Sequence, residues 1–83
     1  MIFSCYKLNE NKIMSDGAEI PNDVNLFCIK NEDDILFLLF ENENKNTIIF
    51  WARLEDVTYI CDVEKEFDLN IADIINGEYF NLI

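Results

Sequence analysis

Seventeen Asp and Glu, three Cys and no His dominate the chemistry open to this 83-residue chain. Without histidine the usual general base near neutral pH is missing, and so are most metal-ligand sets. A cysteine nucleophile would need a partner base that the chain does not supply. Paired carboxylates can hydrolyse glycosides, but the nearest pairs here fall in turns without a cleft-forming framework. There is no Gly-rich phosphate loop, no Gly-x-Ser-x-Gly and no Cys-x-x-Cys. Asp62, Glu64, Glu66 and Asp68 alternate as oxygen ligands. Counted from Asp62, however, the sixth position of an EF-hand loop is Phe67, where glycine is required. The expectation is a protein that is not an enzyme and carries neither metal nor cofactor.

Charge says more. Six Lys and Arg against seventeen Asp and Glu leave a net charge of −11, whereas solubility alone asks for a magnitude of only ~2–8 in a small domain. Such a surface repels nucleic acid and anionic membrane, because phosphate binding needs Lys and Arg to displace counterions. Direct nucleic-acid binding is therefore not expected, and basic proteins become the expected partners. Half the residues are apolar, so the acidity does not signal disorder.

The amino terminus lacks the basic region and apolar run of a signal peptide. The longest apolar stretch, Ile35 to Phe40, is far shorter than a bilayer span. Cys5, Cys28 and Cys61 are odd in number and widely spaced, the pattern of buried, reduced thiols. A cytoplasmic protein of a bacterial host cell is expected, with no membrane contact.

The positions of these residues depend on the elements that carry them. Ile2 to Leu8 reads as a first strand, and Asn9 to Asn25, broken by Asp16-Gly17 and Pro21, as a long loop pinned by Ile13, Met14 and Ile20. Further strands are expected at Leu26 to Lys30, Ile35 to Glu41, Thr47 to Leu54 and Val57 to Cys61. Polar turns separate them at 31–34, 42–46 and 55–56. Beyond Asp62 the period changes: Phe67, Ile71, Ile74 and Ile75 form one stripe of a helix, with Asp62 or Asp68 as its cap and Gly77 as its stop. The predicted fold is α+β, a single domain over 1–83. It is a mostly antiparallel meander of four to five strands with one C-terminal helix packed on a face.

Alternate strand residues point to opposite sides of a sheet. Strands 35–40 and 48–54 are apolar on both sides, so something must cover each face. The candidates are the 9–25 loop, a second copy of the chain, or a partner docking around Trp51, Arg53, Ile49 and Phe37. Trp and Arg are the types most enriched at interface hot spots. In a meander, alternate turns share an end of the sheet. That places Glu32, Asp33 and Asp34 beside Glu55 and Asp56, and Glu41 and Glu43 beside Asp62, Glu64 and Glu66. Each cluster is a candidate contact surface.

In size, charge and lack of cofactor motifs or cysteine scaffolding, the chain resembles phage-encoded anti-defence proteins, including anti-CRISPR and other DNA-mimic inhibitors. It is similar in the same respects to the acidic immunity proteins that neutralise nuclease toxins. The resemblance is one of composition over the whole chain and transfers no individual residue. It implies a small acidic inhibitor whose carboxylates take the places of phosphates on a basic, nucleic-acid-binding enzyme or complex. The alternative is a structural or assembly module, a homodimer or a subunit, held through the second apolar sheet face.

Overall fold

The computed structural model describes residues 1–41 and 47–66. Its strands are β1 (Ile2–Leu8), β2 (Lys12–Ile13), β3 (Glu19–Ile20), β4 (Leu26–Glu32), β5 (Ile35–Glu41), β6 (Thr47–Arg53) and β7 (Val57–Glu64), with one turn of 3-10 helix at Leu54–Asp56. Five of them form an antiparallel sheet in the order β6-β5-β4-β1-β7, and β2 and β3 form a separate hairpin.

The α+β expectation is corrected accordingly. Among the described residues the chain is a β structure, and its helical content is the single 3-10 turn. The expected helical stripe from Phe67 to Ile75 lies outside the described residues. Asp62, a candidate helix cap, is instead a strand residue, because β7 continues past Cys61. Asp62, Val63 and Glu64 pair with Ser4, Phe3 and Ile2.

The meander is corrected too. β1, β4, β5 and β6 follow one another across the sheet, but β7 returns to the far side of β1. β6 and β7 therefore occupy opposite edges although only Leu54–Asp56 separates them. In a flat sheet the edges of five strands lie about 19 Å apart, at ~4.8 Å per strand. Four residue steps from Arg53 to Val57 span at most about 14 Å. The sheet must curl until its edges approach. Two bulges assist the bending, one at Ile29 of β4 and one at Ile60 of β7, each an extra residue facing consecutive residues of the neighbouring strand.

Curling gives the sheet two unlike faces. The inner cluster joins Leu8, Ile20, Leu26, Leu36, Leu38, Phe50, Ala52 and Val57. Its fully or nearly fully buried members include residues of both edge strands, Phe50 and Ala52 of β6 and Val57 of β7. The outer cluster of Phe3, Cys5, Phe27 and Leu39 draws its buried members from the three central strands. The bulge at Ile60 lets β7 serve both, with Val57 facing inward and Val63 packing outward. On β5, Leu38 and Leu39 are each fully buried on opposite faces, which answers the two-sided apolar pattern of that strand.

The 9–25 segment plugs the inner core through Ile20, which is fully buried, with Met14 and Val24 packed alongside. Ile13, expected to help pin the loop, is 72% exposed. In the hairpin Lys12 pairs with Ile20 and Ile13 with Glu19, so Ile13 and Ile20 take opposite faces and only one enters the core. Gly17 closes the turn at a φ of 90°, a conformation side chains disfavour. Among the described residues no helix is long and apolar enough to cross a membrane.

Candidate functional site

The first acidic cluster is built on the β4–β5 hairpin. Asp33 and Asp34 form its two-residue turn with φ of 52° and 64°, the left-handed pair that a type I′ turn requires. Asn-Gly is the sequence that relaxes there. Two adjacent aspartates tolerate the geometry less well and add like-charge repulsion. The turn is tied to the next connection by a backbone hydrogen bond, Leu54 N–H donating to the Asp34 carbonyl at 2.9 Å. Asp33, Asp34, Arg53, Leu54 and Glu55 thereby line one open cleft. Arg53 lies 3.8 Å from Glu55, and Glu32 pairs with Lys30 at 3.2 Å.

Asp56 falls on the other side of the 3-10 turn. There it shares a second cleft with Glu55, Glu10, Asn9 and Lys12. Asn9 fastens that turn: its N–H donates to the Asp56 carbonyl at 3.0 Å, and its Nδ2 donates to the Glu55 carbonyl at 3.1 Å. Its Oδ1 accepts from the Thr58 hydroxyl. Asp33, Asp34, Glu55, Asp56 and Glu10 thus form a strip across two clefts that meet at Glu55. Glu10 was not among the residues expected from sequence. It enters the strip because the ladder carries the end of β1 to Val57, beside the 3-10 turn, and that tertiary pairing leaves no local signal.

The second cluster is not brought together. β7 is antiparallel to β1 and so ends near Ile2, whereas Glu41 sits at the opposite end of β5, opposite Thr47. A meander with β7 beside β6 would have joined them; the actual strand order places three strand spacings between β5 and β7. Glu43 lies outside the described residues. Glu64 and Glu66 gather instead around the Met1 ammonium, at 4.0 Å and 3.0 Å. Asp62 accepts hydrogen bonds from the Ser4 hydroxyl at 3.3 Å and the Tyr59 hydroxyl at 3.0 Å. The latter bond raises the Tyr59 hydroxyl above its ordinary pKa.

The apolar candidates do meet. Trp51 pairs with Phe37, Arg53 with Ile35 and Ile49 with Leu39, all on the outer face. Trp51 remains 37% exposed. Lys12 lies 5.0 Å from its ring centroid and donates to its carbonyl at 3.0 Å, so the β2–β3 hairpin braces the β6 edge. The neighbouring outer positions Leu39, Phe27, Cys5 and Phe3 are buried within the chain itself. Phe37, Ile49 and Trp51 of the same face are only partly covered.

Among the described residues no group of His, Cys, Asp or Glu is arranged to hold a metal ion. No family model, curated protein or solved structure matches the chain.

Proposed function

We propose that the protein is a small acidic inhibitor that docks on the basic, nucleic-acid-binding surface of a bacterial protein. The observation that carries this reading is the vertical ordering of charge on the sheet. Every described carboxylate except Glu41 belongs to an exposed residue. Three of the cations place their ammonium groups over aromatic rings: Lys12 over Trp51 at 5.0 Å, Lys30 over Phe37 at 5.9 Å and Lys65 over Phe27 at 4.9 Å. Cations held this way are half-buried, while the carboxylates stand outward. Arg53 is the exposed cation along the strip from Asp33 to Glu10, and it is paired with Glu55, so a partner approaching there meets a net negative surface.

A rigid row of carboxylates suits Arg and Lys that normally receive phosphates. Complementarity of this kind speeds encounter and sets specificity, and apolar contact near Trp51 adds buried area. The left-handed Asp33-Asp34 turn supports the same reading, because it retains charge at a position where Asn-Gly would be more stable.

The test is affinity capture of the tagged protein from nuclease-treated bacterial lysate at low and high salt. The expected eluate is a basic nucleic-acid-binding protein, lost at high salt and displaced by added DNA or RNA. A captured partner that neither salt nor nucleic acid releases would overturn the proposal.

A further inference from the structure

We propose that Cys5 and Cys61 form a reversible cross-strand disulfide that locks the edge strand β7 onto β1. The two residues lie directly opposite each other in the β1–β7 ladder. Neighbouring pairs show that side chains meet across it: Ser4 donates to Asp62 at 3.3 Å, and the Tyr6 and Tyr59 rings lie 5.6 Å apart, edge to face. Those pairs occupy one face of the ladder. Cys5 and Cys61 occupy the other, next to Phe3 and Val63, which pack in the same cluster as Cys5. Directly opposed antiparallel residues have Cα atoms about 4.5–5.5 Å apart, inside the ~4.4–6.8 Å that a disulfide spans.

The two thiols differ in a way that gives each a step. Cys61 is exposed and Cys5 is buried. Burial, and then the neighbouring Cys61, raises the Cys5 thiol above its ordinary pKa. Cys61 therefore meets the oxidant, a low-molecular-weight disulfide such as oxidised glutathione. Its thiolate attacks one sulfur, the reagent's S–S bond breaks, and one reagent thiol leaves. Cys5, deprotonated in turn, attacks the Cys61 sulfur of the mixed disulfide and expels the second reagent thiol. The protein loses two protons and two electrons, and the reagent is reduced to two thiols. Cys28 stands apart: it is opposite Ser4, on the inner face, and its thiol donates to the Lys30 carbonyl at 3.4 Å.

The experiment treats the whole native protein with oxidised glutathione, blocks remaining thiols by alkylation, and maps the products by mass spectrometry. The expected product is monomeric, has lost two hydrogens, links Cys5 to Cys61, and leaves Cys28 as the alkylated thiol. Its thermal midpoint rises by about 10 °C or more, because the link closes a long loop, and dithiothreitol reverses both changes. Cys28→Ser should behave the same, while Cys5→Ser should retain glutathione on Cys61. Glutathione persisting on Cys61 in the native wild-type chain would overturn the proposal. So would a link through Cys28 or a link between two chains.

Discussion

Two groups of carboxylates, similar in composition and both visible in the sequence, meet opposite fates in the fold. Asp33, Asp34, Glu55 and Asp56 converge around the 3-10 turn, held by Asn9 and by the Leu54-to-Asp34 hydrogen bond. Glu41, Asp62, Glu64 and Glu66 are divided between opposite ends of the sheet, and the last three find local partners at Ser4, Tyr59 and Met1. The difference shows that strand order, rather than proximity along the chain, decides which charges can act together. It also separates carboxylates gathered along two adjoining clefts from carboxylates spread over opposite ends of the sheet.

The sharpest way to break this comparison is charge reversal. Replacing Asp33, Asp34 and Glu55 together by Lys should weaken partner binding by at least ~100-fold, since close interfacial charge pairs are each worth ~1.5 kcal/mol or more. Titration of the variant against the captured partner checks it. Next in size is Asn9→Ala, which removes the clamp on the 3-10 turn. A loss of about 1 kcal/mol is expected for its side-chain hydrogen bonds, read from the urea midpoint. Asp34→Gly should act in two directions: stability rises by about 0.5–1 kcal/mol as the left-handed turn relaxes, while affinity falls. A variant that gains stability and keeps full affinity would remove the turn from the contact surface.

The second group should respond weakly. Reversal of Glu64 and Glu66 is expected to change affinity by no more than about fivefold, since exposed pairs such as theirs contribute ~0–1 kcal/mol. Asp62→Asn should bring the Tyr59 hydroxyl back toward 10.0, followed by its ultraviolet titration. The folded value is raised, so the Tyr59–Asp62 bond contributes fully below pH 10.0. Its contribution is lost as pH rises through the higher folded value.

Much of the strand pattern could be read locally. β1 and β5 begin and end as expected from the sequence, and β4, β6 and β7 differ from expectation by one to three residues. Within β4 and β7, bulges are features that alternation cannot reveal. The bulge at Ile29 sends two successive residues outward, and the bulge at Ile60 moves β7 from one face to the other. The apolar patch at Trp51, Phe37, Ile49 and Arg53 was legible because its members follow strict alternation on two adjacent strands. The acidic clusters were legible only in part. Asp33, Asp34 and Glu55 met because β4, β5 and β6 are sequential neighbours, whereas Glu41 and Glu64 parted because β7 pairs with β1. That choice is made by the inner core, where Val57 must reach Leu8, and no local signal announces it.

The β1–β7 ladder has a kinetic consequence. Ile2 pairs with Glu64, so the last ladder closes a loop of nearly the whole described chain, whereas β4 and β5 are joined through a two-residue turn. Hairpins of that kind form in about 1–10 μs, while distant pairings wait on the entropy of loop closure. The Asp33-Asp34 tip is thus expected to be in place early, with β7 docking late. Substitutions at the tip should chiefly slow refolding, and those along β7 should chiefly hasten unfolding.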